Sequence, residues 1–116
     1  MPHLIIEYSS GLEKCVDMKK LMQTIYDAAV ASEVMNPADI KIRAIPFSYY
    51  RLHDAHDTFV HTTCRLLAGR TTEQKTNLAK TLRKNVADLL PDVYSISVDI
   101  VDMDPGPYKK RLMEAE

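Results

Sequence analysis

The sequence predicts an α+β domain in which two β-α-β units form one four-stranded mixed sheet with both helices on one face. The order of strand, helix and strand occurs in residues 1–57 and is repeated in residues 58–116. A helix that links two strands of one sheet makes those strands parallel through a right-handed crossover. We therefore expect a single domain of 116 residues with two similar halves.

The first unit begins with a short apolar run that is typical of a buried strand. Residues 3–8 contain this run, and Ser9, Ser10 and Gly11 form the turn after it. A helix follows, with Asp17 as its N-cap and with apolar residues on one face at Met18, Leu21, Met22, Ile25, Ala28 and Ala29. The pair Asn36-Pro37 ends that segment. Residues 40–45 alternate in polarity and predict a second strand, one face of which carries Lys41 and Arg43.

The second unit repeats this order after a polar stretch, residues 46–57, that reads as a long loop or an edge hairpin. Residues 58–67 predict a strand, and residues 68–71 predict a turn. Thr71 and Gln74 form a capping box for a helix that ends at Pro91. One face of this helix holds Lys75, Leu78, Ala79, Leu82, Val86 and Leu89. Residues 93–103 alternate as a last strand, after which Pro105-Gly106-Pro107 begins a short polar tail.

The predicted strands carry apolar residues on both faces, as in LIIEY and FVHTTCRLL. Two helices on one side of a sheet cover only one of its faces. Closed cyclic association of several copies would cover the other face, so the sequence predicts a homo-oligomer.

Composition narrows the class of protein. The formal net charge is −1, and the basic residues are dispersed among carboxylates, which argues against a nucleic-acid partner. The chain has neither an apolar run near the roughly 20 residues of a membrane span nor a signal-peptide pattern. Cys15 and Cys64 lack zinc-like spacing, so we assign them no metal. We expect a cytoplasmic protein that binds a small molecule.

Pro2 allows two interpretations. As the first residue of a strand it would cost no ladder hydrogen bond, since proline has no N–H. If Met1 is removed, its ring nitrogen becomes a terminal secondary amine that could act as a base. The two halves also differ in the candidate site residues that they contain, because Pro2 and Arg43 lie in the first half and Arg70 lies in the second. This division suggests one composite site per chain. His3 and His61 stand on strands among apolar residues, where we expect structural roles.

The segments PHLIIE and FVHTTCRLLAGRTTEQK, together with the β-α-β repeat, resemble the tautomerase superfamily, and most closely the 5-carboxymethyl-2-hydroxymuconate isomerases. The resemblance covers nearly the whole chain. It implies an amino-terminal proline base, arginines that bind substrate carboxylates, no metal or cofactor, and trimeric or hexameric assembly. By this resemblance Pro2 is the catalytic residue and Arg70 binds substrate. Arg43 matches a family strand arginine, although a one-residue gap near Pro37 would give that role to Lys41.

The implied activity is an isomerase that moves a proton and a double bond in a 2-hydroxymuconate-type dicarboxylic or tricarboxylic acid. Such a reaction needs one group that serves as base and then as acid, with a pKa near neutrality. Burial and nearby cations lower an amine's pKa toward that value. The alternatives are a promiscuous keto-enol tautomerase of phenylpyruvate-like acids and a non-catalytic oligomeric binding protein. The absence of a Cys-x-x-Cys motif weighs against the latter.

Overall fold

A computed structural model describes residues 1–113 of the chain. Its strands and helices are β1 (His3–Ser9), α1 (Met18–Ala31), β2 (Lys41–Phe47), β3 (Phe59–Leu67), α2 (Thr72–Leu89) and β4 (Ser95–Met103). Short 3₁₀ turns occupy Leu12–Lys14, Pro37–Asp39 and His53–Ala55. The order of strand, helix and strand therefore occurs twice, as predicted.

The four strands form one mixed sheet in the order β2-β1-β3-β4. Within each unit the two strands are parallel, so that His3 lies beside Lys41 in one pair and Phe59 beside Ser95 in the other. The units join through the antiparallel pair β1 and β3, in which Ile5 lies opposite Thr63. This arrangement confirms the predicted fold class.

The core lies between the sheet and the two helices. Alternate residues of β1, Leu4 and Ile6, are fully buried on this side, because successive strand residues point to opposite faces. The apolar faces of the helices meet them in one cluster, to which α1 contributes Leu21, Ile25, Ala28 and Ala29 and α2 contributes Leu78, Leu82 and Val86. Both helices therefore cover the same face of the sheet.

Side chains fix the start of each helix. The Asp17 carboxylate accepts a hydrogen bond from the Lys19 amide at 3.0 Å, which satisfies a first-turn donor of α1. Thr71 and Gln74 form the predicted capping box of α2, each side chain accepting from the other's backbone N–H. The capping box also fixes the backbone just after Arg70.

Several strand boundaries differ from the prediction by one or two residues, and the two largest differences are at the end of β2 and the start of β4. β2 continues through Pro46 to Phe47, because β2 is an edge strand and a residue there needs no second ladder donor. β4 begins at Ser95, since the Val93 amide instead closes the preceding turn by donating to the Leu90 carbonyl.

The face of the sheet away from the helices is mixed in character. Residues that lie side by side on neighbouring strands form rows across this face. Taken in the strand order β4, β3, β1 and β2, one row is Val101, Arg65, His3 and Lys41. The next row is Asp99, Thr63, Ile5 and Arg43. We call this surface the open face. Within residues 1–113, neither helix has the length and apolar character needed to cross a membrane.

Candidate active site

A cavity of about 450 Å³ lies at the start of β1, and we call it the amino-terminal cavity. It is lined by Met1, Asn36, Asp39, Leu67, Arg70, Tyr108, Lys109 and Lys110. These residues come from the chain start, the loop between α1 and β2, the turn between β3 and α2, and the tail after β4. The topology thus brings the first half's terminus and the second half's arginine to one place.

Pro2 lies between Met1, which lines the cavity, and the first residue of β1. Its side chain is almost fully buried, and its carbonyl accepts a hydrogen bond from the Lys41 amide at 3.1 Å. The Met1 amine donates to the Asp39 carbonyl at 3.0 Å. With Met1 present the Pro2 nitrogen is an amide and has no basic lone pair.

The surroundings of the terminus disfavour a protonated amine. Burial, the charge of Lys41 and a hydrogen bond with Lys110 lower the pKa of the Met1 amine from 8.0 to about 6, although Asp39 opposes them. Groups at this position therefore experience a less polar and more positive environment than an exposed terminus. The Met1 amine is therefore more readily deprotonated than an exposed terminus.

Arg70 lies in the turn that precedes α2 and is held by backbone carbonyls. Its Nε and Nη2 donate to the Val34 carbonyl at 3.0 and 2.8 Å, and its Nη1 donates to the Leu67 carbonyl at 3.0 Å. These bonds use three of the five N–H groups of the guanidinium. The side chain is thus fixed at the cavity wall with two N–H groups left for other acceptors.

The structure separates the two basic residues of β2. Lys41 Nζ donates at 3.0 Å to the Asp39 carbonyl, the same oxygen that accepts from the Met1 amine. Arg43 is exposed on the open face, where its Nη1 lies 3.1 Å from His3 Nδ1. Arg70 therefore lines the cavity, and Lys41 shares the Asp39 carbonyl with the Met1 amine, whereas Arg43 contacts His3, which in turn contacts Tyr108 of the cavity wall.

The tail supplies three lining residues that the sequence prediction missed. Lys110 forms an ion pair with Asp39, which lowers the pKa of the Asp39 carboxyl and raises that of the Lys110 amine. The Tyr108 hydroxyl lies 3.0 Å from His3 Nε2, and Lys109 completes the wall. No periodicity marks residues 104–113, so only the folded chain shows that they return to the terminus.

Neither cysteine belongs to this site. Cys64 is fully buried in the core, and burial raises the pKa of its thiol to about 12, which makes it a poor nucleophile. Cys15 is exposed on the turn before α1. Among residues 1–113, no three His, Cys, Asp or Glu side chains are grouped so that they could hold a metal ion.

Solved structures with the same fold include two named as isomerases. A 5-carboxymethyl-2-hydroxymuconate delta-isomerase is 20% identical with a TM-score of 0.77, and the match covers 97% of this chain and 89% of that one. A 5-carboxymethyl-2-hydroxymuconate isomerase from Deinococcus radiodurans R1 is 24% identical with a TM-score of 0.73, covering 95% and 88%. At these identities the likeness shows the fold.

A third structure, named as a fused 4-OT wild-type symmetric trimer, is 22% identical with a TM-score of 0.70, and the match covers 88% of this chain and 85% of that one. A search of curated protein sequences finds no significant match. The family model of 5-carboxymethyl-2-hydroxymuconate isomerase matches residues 2–110. Because that match spans nearly the whole chain, the protein belongs to the 5-carboxymethyl-2-hydroxymuconate isomerase family and is an isomerase.

Proposed function

We propose that this isomerase moves a proton and a double bond in a 2-hydroxymuconate-type dicarboxylic or tricarboxylic acid, with the Pro2 amine as base and then acid. The observation that carries the proposal is a cavity that brings the start of the chain together with Arg70, Lys109 and Lys110, where the pKa of the Met1 amine is lowered. A group with a pKa near the working pH can both take up and return a proton.

The proposed reaction begins once Met1 has been removed. The free Pro2 amine accepts a proton from one atom of the substrate, and negative charge spreads over the conjugated oxygen. The same nitrogen then returns the proton to a different carbon, so the composition of the substrate is unchanged. Proline's secondary amine is more basic than an ordinary terminus, and burial together with Lys41 opposes that basicity.

Cations in the cavity fit the carboxylates of such a substrate. The two remaining N–H groups of Arg70 can bind a carboxylate, and its hydrogen bonds to Val34 and Leu67 hold the guanidinium in place. Lys109 and Lys110 line the same cavity. A substrate with two or three carboxylates would compete with Asp39 for Lys110 and would gain from each cation that it reached.

We also propose that the protein is a homotrimer assembled through the open face. Ile45 and Phe47 remain 42% and 36% exposed on that face, at the outer strand of the sheet. The fused 4-OT structure with the same fold is named as a symmetric trimer. Mass measurement by light scattering would test this state, and a monomer at micromolar concentration would contradict it.

The test of the activity compares two forms of the chain by intact mass and by ketonisation of 2-hydroxymuconate. The first form is the protein as purified, which we expect to lack one methionine and to be active. The second has Lys inserted between Met1 and Pro2, so that the Pro2 nitrogen stays an amide. Loss of general base catalysis should lower kcat by roughly 10²- to 10⁴-fold.

An unchanged thermal transition would show that the inserted form is folded. Equal activity of the two forms would overturn Pro2 as the base. Activity on phenylpyruvate but not on 2-hydroxymuconate would overturn the proposed substrate class and favour a keto-enol tautomerase. Absence of both activities in the processed form would overturn the proposed function as a whole.

A further inference from the structure

Tyr108 brings a hydroxyl to the amino-terminal cavity from the tail of the chain. It lines the cavity together with Met1 and Arg70. Its Oη is 3.0 Å from His3 Nε2, and the two rings meet edge to face with centroids 5.9 Å apart. The contact joins residues 105 positions apart in the sequence. The hydroxyl is thus placed by β1, the strand that begins at Pro2.

The proton arrangement along this contact follows from Arg43. A guanidinium has N–H donors and no acceptor, so Arg43 Nη1 must donate to His3 Nδ1 across 3.1 Å. His3 Nδ1 therefore holds a lone pair, and the ring proton of the neutral imidazole lies on Nε2. Nε2 then donates to Tyr108 Oη. Because Tyr108 accepts this bond, its own O–H is available to donate to another acceptor.

The charges around His3 support the neutral imidazole on which this arrangement depends. Burial lowers the pKa of His3, and the positive charges of Arg43, Lys41, the amino terminus and Arg65 lower it further. These groups come from β1, β2 and β3, and Tyr108 approaches from the tail. A protonated His3 would place an N–H against the Arg43 guanidinium, so the pair also opposes protonation sterically and electrostatically.

We propose that Tyr108 is a catalytic residue that donates a hydrogen bond to the substrate oxygen on which negative charge develops, and that Arg43 and His3 are the positioning residues that direct its hydroxyl. This inference rests on the proposed function. The proton passes from the substrate to the Pro2 nitrogen and back, while the Tyr108 hydrogen stays on its oxygen. The role is electrostatic stabilisation by a fixed donor.

The proposal gives the two basic residues of β2 different tasks. Lys41 lies beside the terminus and acts on the amine directly. Arg43 instead fixes the His3 tautomer, and without it the proton could move to Nδ1 and turn Nε2 into an acceptor. Tyr108 would then donate its hydrogen to His3 rather than to the substrate. Loss of Arg43 should therefore act through Tyr108.

The first test is Tyr108→Phe, with the exposed Tyr49→Phe as its matched control. Loss of one fixed donor should lower kcat for 2-hydroxymuconate by roughly 10²-fold while KM changes little. The control should keep wild-type kinetics. Wild-type kcat in Tyr108→Phe, with the parent protein active, would overturn the role of Tyr108 and leave the proposed function intact.

A double-mutant cycle tests the positioning role. Arg43→Ala should lower kcat in the parent protein but should have little further effect in Tyr108→Phe, because both changes remove the same hydrogen bond to substrate. Arg43→Lys keeps a donor and should recover part of the loss. Multiplicative effects of the two substitutions would show that Arg43 acts independently of Tyr108 and would overturn its positioning role.

A binding measurement tests the hydrogen bond from Tyr108 independently of the activity assay. By calorimetry, 2-oxoadipate should bind the processed protein several-fold more tightly than adipate, because its keto oxygen accepts from Tyr108. Tyr108→Phe should abolish this difference and leave adipate binding unchanged. An equal preference in parent and variant would overturn the contact. Failure of the proposed function would appear separately, as an inactive parent protein with this preference intact.

Discussion

The two halves of the molecule build cavities at matching positions, and the contents of those cavities differ. The amino-terminal cavity lies where β1 starts, between the loop after α1 and the turn before α2. A second cavity of about 210 Å³ lies where β3 starts, between the loop after α2 and the segment before α1. It is lined by Leu12, Cys15, Thr58, Leu89, Leu90, Pro91, Asp92 and Val93.

The second cavity lacks the features on which the proposed activity depends. Its lining, which falls entirely within the described part of the chain, contains one carboxylate and neither lysine nor arginine. Thr58 immediately precedes β3 in mid-chain, where the backbone nitrogen is an amide. The same backbone arrangement therefore supplies a cavity twice, and the candidate site differs from its counterpart in its larger volume, the chain terminus, the cations and Tyr108.

Of the substitutions that test this difference between the cavities, Arg70→Ala should cause the largest loss of activity. The change removes the donors to a substrate carboxylate and to two backbone carbonyls, so we expect a roughly 10²-fold loss of kcat/KM and about 1–3 kcal/mol of stability. Steady-state kinetics and thermal unfolding would measure both. The exposed Arg83→Ala on α2 is the control, and wild-type KM in Arg70→Ala would contradict substrate binding by this residue.

A smaller effect is expected from Lys41→Met, which removes a charge that lowers the pKa of the terminal amine. In the processed chain the base must be unprotonated, so activity rises with pH through the amine's pKa. A higher pKa moves this rise to higher pH. The acid limb of the kcat/KM profile should therefore shift upward, by a fraction of a pH unit, relative to the exposed control Lys80→Met. A downward shift would contradict the assignment.

The effect of the Lys41 charge on the pKa of the terminal amine can also be tested without substrate, in the chain that retains Met1. Its folded form has an amine pKa of about 6 against 8.0 for the ordinary value, so between these values the unfolded chain binds more protons. The free energy of unfolding should then rise as pH increases from 6 to 8. Lys41→Met should flatten this rise, and an identical slope would argue against its electrostatic role.

The smallest effect is expected from substitutions at the N-caps of the two helices. Thr71→Ala and Asp17→Ala each remove one N-cap acceptor, so each should cost about 1 kcal/mol of stability. Only Thr71 adjoins Arg70, and therefore only Thr71→Ala should also raise KM. Denaturant unfolding and kinetics on the same samples would separate the two effects. An equal rise of KM in Asp17→Ala would show that loss of stability alone perturbs the site.

Much of this architecture could be predicted because it rests on local chemistry. Alternation in β4, the apolar faces of both helices and the Thr71 capping box each follow from residues close in sequence. The division of Pro2, Arg43 and Arg70 between the halves also suggested one composite site, and Met1 and Arg70 line the same cavity. The family match over residues 2–110 agrees with the resemblance seen in those same segments.

The remainder depends on contacts that no short-range pattern encodes. The resemblance implied that Arg43, or Lys41 in its place, binds substrate. In the structure both residues lie on the open face, and Arg43 Nη1 is 3.1 Å from His3 Nδ1. Tyr108 and Lys110 come from a tail without periodicity, and each contacts a residue at least 71 positions away. The tail is short and polar, and nothing in its composition indicated that it lines the cavity.

The anchoring of Pro2 has a stereochemical consequence. Its carbonyl accepts from the Lys41 amide and its ring is almost fully buried, so packing would hold the free nitrogen on one side of a bound substrate. A single immobile base approaches a planar diene from one side only. Proton removal and proton return would then occur on the same face, and deuterium introduced from solvent should appear in the product with one configuration.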